Sequence, residues 1–394
     1  MKTIVFRNGW NRREFVRAMS AAGMAATISP GLIKPLWSQS EPLPEKPKTN
    51  IEDALKIPRT ENSLPGKYPG RVVEIFHSKA MINNHPDADI AYQMLKQGML
   101  ELTTASTLKA AWREFVSPED IIGLKVNPVA GKSLSTSLEL TEAVIRQLEL
   151  SGIPRKNILI WDRREFELAD VGFTEKTFPG IRITSTEQKD SSGSFYDEAG
   201  RLYGESMIDR EWYYWADCEM SYDEETMPYM INEGKYSYFS KIVTKAITKI
   251  INIPILKNAG STVTLCLKNL AFGSISNTAR LHQSLWSETC AQVPSFVPLR
   301  DKVVLNIADG LKGCYEGGPG ANPKFFTEYN TILVGTDPVA VDRIGYEIVL
   351  KKRLEEKIQK EESPRGRIFM EMAQHYGLGQ ADLEKIDHQR RVMG

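Results

Sequence analysis

IIGLKVNPVAGKSLSTSLELTEAVIRQLELSGIPRKNILIWD, residues 121–162, decides the fold class. IIGLKV (121–126) and NILIWD (157–162) are short apolar runs of strand length. Between them, Thr136 to Glu139 reads as a capping box, a helical run follows to Leu150, and Gly152 stands just past its end. Strand, helix and strand in that order make a β-α-β unit, whose strands pair in parallel through a right-handed crossover. The same grammar extends both ways. Upstream, RVVEIFH (71–77) is a strand, Asp89 to Leu102 a helix and Leu108 to Phe115 a shorter one. Downstream come a helix near 240–248, strands IINIPIL (250–256), KVVLNIAD (302–309) and TILVG (331–335), and a helix from Pro338 to about Leu354. The expected fold is α/β: one domain over 71–388, an open, mostly parallel sheet with helices on both faces. Segment 163–236, acidic and rich in aromatics such as Trp212, Tyr213, Tyr214 and Trp215, breaks the rhythm and reads as an irregular inserted cap.

In open α/β sheets ligands bind beyond the carboxyl ends of the strands. The unusual polar residues of this chain stand there. Lys125 and Asn127 close one strand, Lys257 and Asn258 the next, Asp309 and Gly310 another, Thr336 and Asp337 the last. Lys268 and Asn269 follow TVTLCL, with Arg280 and His282 shortly after. Lysines beside glycine-rich backbone (GLKGCYEGGPGANP, 310–323) suit an anionic ligand such as a carboxylate or phosphate. The expected substrate-binding set is Lys125, Asn127, Lys257, Asn269 and Arg280, with Lys268, His282 and Asp309 as catalytic groups. Asp309, Asp337 and Asp342 form a carboxylate set of the type a divalent metal takes. Each residue also has a plain structural reading: Asp337 before Pro338 is an N-cap, Asp342 can face solvent from its helix, and Asp309-Gly310 is a turn. Walker, dinucleotide-binding, zincin and serine-elbow motifs are absent from the sequence.

The N-terminus carries a separate signal. Arg12-Arg13, followed by Glu14, Phe15, Val16 and Arg17 and a weakly apolar stretch from Ala18 to Ile28, resembles the twin-arginine export motif, with Asn11 in place of the commoner Ser or Thr. Residues 1–40 are expected to be a signal peptide cleaved near 37–41, or else an uncleaved tether, and to engage the twin-arginine translocation machinery. The expected location is periplasmic, and the mature body is expected not to span the membrane. Residues 41–69, with Pro42, Pro44, Pro47, Pro58, Pro65 and Pro69, read as a linker. Of the 50 basic and 50 acidic residues, six basic and one acidic lie in the first forty, leaving 44 against 49. A mildly acidic body without a basic run excludes nucleic acid as a partner. Cys218, Cys266, Cys290 and Cys314 include no C-x-x-C pair, so no zinc-ribbon or ferredoxin loop is encoded, and which of them pair in an oxidising compartment stays open.

The blocks IINIPILK, TVTLCLKNLAFG, His282, IADG, GGPG and VGTDPVAVDRIG, with IIGLKVN and GIPRKNILIWD before them and YGLG-x-x-D at Tyr376 to Asp382 after, resemble the family labelled domain of unknown function 362 over residues 71–385. Many of its members carry an added ferredoxin module, whose cysteines this chain lacks, so no iron–sulfur cluster is expected. The resemblance places Lys257, Lys268, Asn269, His282, Asp309, Asp337 and Asp342 in the family's blocks but lends no settled chemistry. The functional expectation is an exported enzyme acting on a small anionic substrate, with or without metal assistance. Beside it stand a non-catalytic ligand- or metal-delivery protein and, with no visible ligand set to support it, a redox protein.

Overall fold

The computed structural model describes residues 46–188, 194, 198, 200, 203–220, 234–260, 262–358 and 365–394. The segment around which the fold was read forms as expected. Ile122–Lys125 and Ile158–Arg164 pair in parallel, Ile122 opposite Ile158 and Lys125 opposite Trp161. The helix Leu138–Leu150 between them buries Leu140, Val144, Ile145 and Leu148, the i, i+4 spacing of an amphipathic face. Its N-cap residue is Ser137, not Thr136, whose hydroxyl instead donates to the carbonyl of Ile253 at 2.7 Å. Gly152 ends it with φ +92, a left-handed conformation that glycine adopts without steric cost.

In chain order the strands are β1 (Arg71–His77), β2 (Met81–Ile82), β3 (His85–Pro86), β4 (Ile122–Lys125), β5 (Ile158–Arg164), β6 (Arg182–Glu187), β7 (Ile208–Trp215) and β8 (Tyr236–Ser240). They continue with β9 (Lys249–Asn252), β10 (Ile255–Ala259), β11 (Thr262–Thr264), β12 (Val303–Cys314), β13 (Phe326–Thr327), β14 (Thr331–Gly335) and β15 (Asp387–Met393). The principal sheet has the order β15-β1-β14-β12-β9-β4-β5-β6, with β10, β11 and β13 attached beside β12. It is mostly parallel; β14 runs antiparallel to both β1 and β12. Strand periodicity divides the apolar residues into two cores. Ile122, Leu124, Ile251, Leu305 and Ile307 face the helices Ala88–Thr103 and Leu138–Leu150, while Leu159, Trp161, Ile250 and Ala308 face the helices Cys266–Ser274 and Pro338–Glu355. Helices therefore cover both faces. Among the described residues no helix is long and apolar enough to cross a membrane.

Four expectations change. The stretch read as a linker is, from residue 46 onward, docked on the body: Ile51, Ala54 and Leu64 are buried in the core, and the N–H of Leu64 donates to Arg300 O at 2.8 Å. Its prolines interrupt regular structure without preventing burial of the apolar side chains between them. The inserted cap starts later than 163, because β5 continues to Arg164 and β6 adds a further parallel strand, Leu159 opposite Arg182. What stands apart is the β7–β8 hairpin. The helix expected near 240–248 is β8 followed by a short π-helical turn, Ile242–Ala246. IINIPIL splits into β9 and β10 at Ile253-Pro254, where the proline nitrogen has no hydrogen for the ladder. Residues 1–40, with Arg12 and Arg13, lie outside the described residues.

Candidate functional site

Chain direction in the sheet defines the crevice. From β4 the connection leads to β5 on one side; from β9 it leads to β10 and β12 on the other. Neighbouring strands whose connections depart in opposite directions make a topological switch point, where α/β sheets open to ligands at the carboxyl edge. Lys125 and Asn127 stand at the end of β4, Asn252 at the end of β9, and Lys257 follows in β10.

At that level the sheet carries a polar row. Lys125, Asn252 and Asn306 are mutually in register across β4, β9 and β12, on the face covered by the helix Cys266–Ser274. All three side chains are buried. Lys125 Nζ pairs with the carboxylate of Asp162 and donates to Val126 O at 2.8 Å and Asn269 Oδ1 at 3.0 Å, using its three hydrogens. Asn269 Nδ2 donates to Asn252 Oδ1 at 2.8 Å, Asn252 Nδ2 to Asn306 Oδ1 at 2.9 Å, and Asn306 Nδ2 to Thr336 O at 3.1 Å. Gly273 lies directly above the ion pair, leaving no room for a Cβ against Lys125. This network is the floor of the site. Lys125 and Asn269, expected to bind substrate, are satisfied within it and support the groups above.

Those groups are Lys257, Lys268 and His282. Lys257 is 0% exposed, yet Nζ has only neutral partners: Val129 O at 2.7 Å and Asn127 Oδ1 at 3.3 Å. Burial, then the nearby Lys268 charge, pushes its pKa down to about 7. Lys268 projects from the helix Cys266–Ser274, half-buried, with Nζ 5.5 Å from the centre of the Phe272 ring and no carboxylate pairing with it among the described residues. His282 is exposed at the rim; Nδ1 is 2.9 Å from Thr278 O, and its ring centre lies 4.0 Å from that of Phe272. A carbonyl can only accept, so Nδ1 carries the hydrogen in that bond and Nε2 keeps its lone pair. Desolvation by the surrounding protein, then the Lys268 charge, with Arg163 and Arg164 adding, lowers the imidazole's pKa.

Beside them, at the carboxyl ends of β5 and β6, a charged group escaped the sequence reading. Arg163 Nε donates to Glu187 Oε1 at 2.6 Å and its Nη1 to Thr278 Oγ1; Arg164 Nε donates to Glu187 Oε2 at 3.0 Å. Asp162-Arg163-Arg164, three charges ending an apolar strand, was the signal that could have found it.

The aspartates go elsewhere. Asp309 lies within β12, which runs on to Cys314, and its carboxylate accepts from Ser137 N at 2.8 Å, Ser137 Oγ at 2.6 Å and Leu311 N at 3.1 Å. Because β14 is antiparallel, Asp337 lies at the opposite edge, accepting from Ala340 N, Gly70 N and Gln380 N. Asp342 is buried, not solvent-facing, and accepts from Cys266 N at 2.6 Å and Leu267 N at 3.0 Å. Burial raises all three, to about 6, 6 and 7 respectively. Their oxygens serve separate backbone segments, and among the described residues no three His, Cys, Asp or Glu side chains are placed to hold a metal. The donor set does not fit a metal centre. Arg280 is likewise structural: buried, it donates to the carbonyls of Ala216, Cys218 and Lys235, tying the ends of the hairpin. The four cysteines are free thiols.

Residues 205–347 match the family described as Domain of unknown function (DUF362). No curated protein matches the chain. The crystal structure of a protein from Thermotoga maritima aligns at 10% identity and a TM-score of 0.35, covering 67% of this chain and 59% of that one. The chain thus spans less than two thirds of that protein's length.

Proposed function

We propose that this chain, whose residues 205–347 match the domain of unknown function 362, is an exported enzyme that takes a small anionic substrate at the switch point between β4 and β9. One observation carries the reading: of three lysines gathered there, Lys125 has its carboxylate, while Lys257 and Lys268 have none among the described residues. A lysine without counter-charge in a partly desolvated crevice either gives up its proton or is completed by an anion. Lys268, the more open of the two, meets the anion first. His282 at the rim supplies a lone pair at Nε2, and the Lys125–Asp162–Asn269 floor fixes the helix that carries Lys268. A metal has no part in this reading.

Thermal-shift titration and calorimetry with inorganic phosphate, malonate and acetate test it. Saturable stabilisation that weakens with salt and falls at least tenfold in affinity in Lys268→Ala is expected, the size of one charge-assisted hydrogen bond of about 1.5–3 kcal/mol. Unchanged melting with every anion refutes it. Export rests on Arg12-Arg13-Glu14-Phe15. Residues 1–40 fused to a reporter should direct it out of the cytoplasm in a twin-arginine-competent cell, and Arg12→Lys with Arg13→Lys should retain it.

A further inference from the structure

Lys257 is set differently from the other buried lysine of the crevice. Both side chains are 0% exposed. Lys125 sits against the Asp162 carboxylate, whereas Lys257 reaches only an amide oxygen and a backbone carbonyl. An isolated ammonium in such a place is strongly penalised, and in practice the group gives up its proton. A neighbouring cation, Lys268, disfavours the charged form further. A lysine kept as a free amine by desolvation and a second cation is a nucleophile for carbonyl carbon. The loop over it is held in an unusual conformation. Ala130, one residue after the Val129 carbonyl that Lys257 contacts, has φ +86, a left-handed backbone that a residue with a Cβ rarely adopts.

We propose that Lys257 condenses with the carbonyl group of a small oxo acid whose carboxylate is held by Lys268. This rests on the anionic-substrate reading above and divides the labour of the two lysines. The nitrogen lone pair adds to the carbonyl carbon, forming the C–N bond and opening the C=O double bond. The oxygen leaves as water, carrying the two hydrogens that were on the amine, and a C=N bond remains. No oxidant or reductant is consumed. The substrate carbonyl takes the position over the amine now occupied by the Val129 carbonyl, and Asn127 Oδ1 stays beside the nitrogen.

The test is reductive trapping on the full chain with pyruvate and, separately, acetoacetate, in the presence of cyanoborohydride, with adducts mapped by peptide mass spectrometry. The expected result is a secondary-amine adduct on Lys257, at oxo-acid concentrations that leave exposed lysines unmodified, and suppressed by excess lactate, which has the carboxylate but no ketone. In Lys268→Ala the same adduct should need at least about tenfold more pyruvate, from loss of one charge-assisted contact. Mapping on the wild-type chain decides the matter independently of whether Lys257→Met folds. Adducts scattered over exposed lysines, with Lys257 unmodified while carboxylates still stabilise the protein, overturn the condensation and leave the anion site standing. If neither trapping nor anion stabilisation occurs, both readings fall.

Discussion

Lys125→Met removes the cation of the buried Lys125–Asp162 pair while keeping its length. The side chains on both sides are almost fully buried, 0% and 4% exposed. The substitution leaves the Asp162 carboxylate without its cation, and the Val126 carbonyl and Asn269 amide oxygen without a donor. Breaking one side of a buried pair costs about 3–5 kcal/mol, mostly the uncompensated charge. That lowers the folded-to-unfolded ratio by roughly two to three and a half powers of ten, at 1.4 kcal/mol per factor of ten. Asp162→Asn should cost a comparable amount by stranding the ammonium. The double variant leaves no charge, so its loss should fall at least about 2 kcal/mol short of the two single losses combined. Urea unfolding followed by both circular dichroism and tryptophan fluorescence measures all four proteins. Single losses below about 1 kcal/mol, or additivity within about 0.5 kcal/mol, would refute the pair as the floor of the site.

Gly273→Ala should destabilise by about 1–3 kcal/mol through overpacking, since its methyl group meets Lys125, and should weaken anion binding at Lys268 on the same helix. Asp342 is raised to about 7 in the fold, so the native state holds a proton that the unfolded chain releases near pH 4. Wild type should therefore gain stability relative to Asp342→Asn as pH falls from 8 to about 5; a pH-independent difference in urea midpoints would contradict this. Glu74 behaves in the opposite sense. Though burial works against it, hydrogen bonds from His388 Nε2 and Arg390 Nε, each at 2.9 Å, leave its pKa lowered. Its contribution is present above the ordinary carboxylate range and is lost on acidification. Glu74→Gln should expose the amides of β15 to hydrogen exchange at pH 7, with the gap to wild type closing below about pH 4.

The parallel core was legible because its signals are local. Apolar runs at 121–126 and 157–162 around a helical stretch ending at Gly152 admit few other arrangements. Lys257 and Lys268 were found for a similar reason, as charges beside apolar runs at a strand end or just after one. The errors have one physical source: the direction and length of a strand depend on its partners. TILVG reads the same in either orientation, but pairing antiparallel with β1 and β12 carries Asp337 to the far edge. KVVLNIAD gives no hint that the strand runs on to Cys314, which turns Asp309 from a terminus into a mid-strand residue bonded to Ser137. TVTLCLKN looks like a strand and its exit, yet Asp342, distant in sequence, caps Cys266 and Leu267 and starts a helix there. That helix is what brings Lys268 to the crevice.

The row of amides beneath the site has a polarity. It begins at Lys125, an ammonium that can only donate, and ends at the Thr336 carbonyl, which can only accept. With both ends committed, Asn269, Asn252 and Asn306 must each present oxygen on the side of the Lys125 ammonium and nitrogen on the side of Thr336, Asn269 Nδ2 also reaching the Lys125 backbone carbonyl at 3.4 Å. No member can rotate by itself without setting oxygen against oxygen on one side and nitrogen against nitrogen on the other. A carboxylate at any of the three positions would halt the sequence, having no hydrogen to pass on. The donor-to-acceptor direction is therefore the same at every step from β4 through β9 to β12. Moving the Lys268 helix breaks the bonds by which Asn269 ties it to Lys125 on β4 and Asn252 on β9, and no flipped amide can restore them.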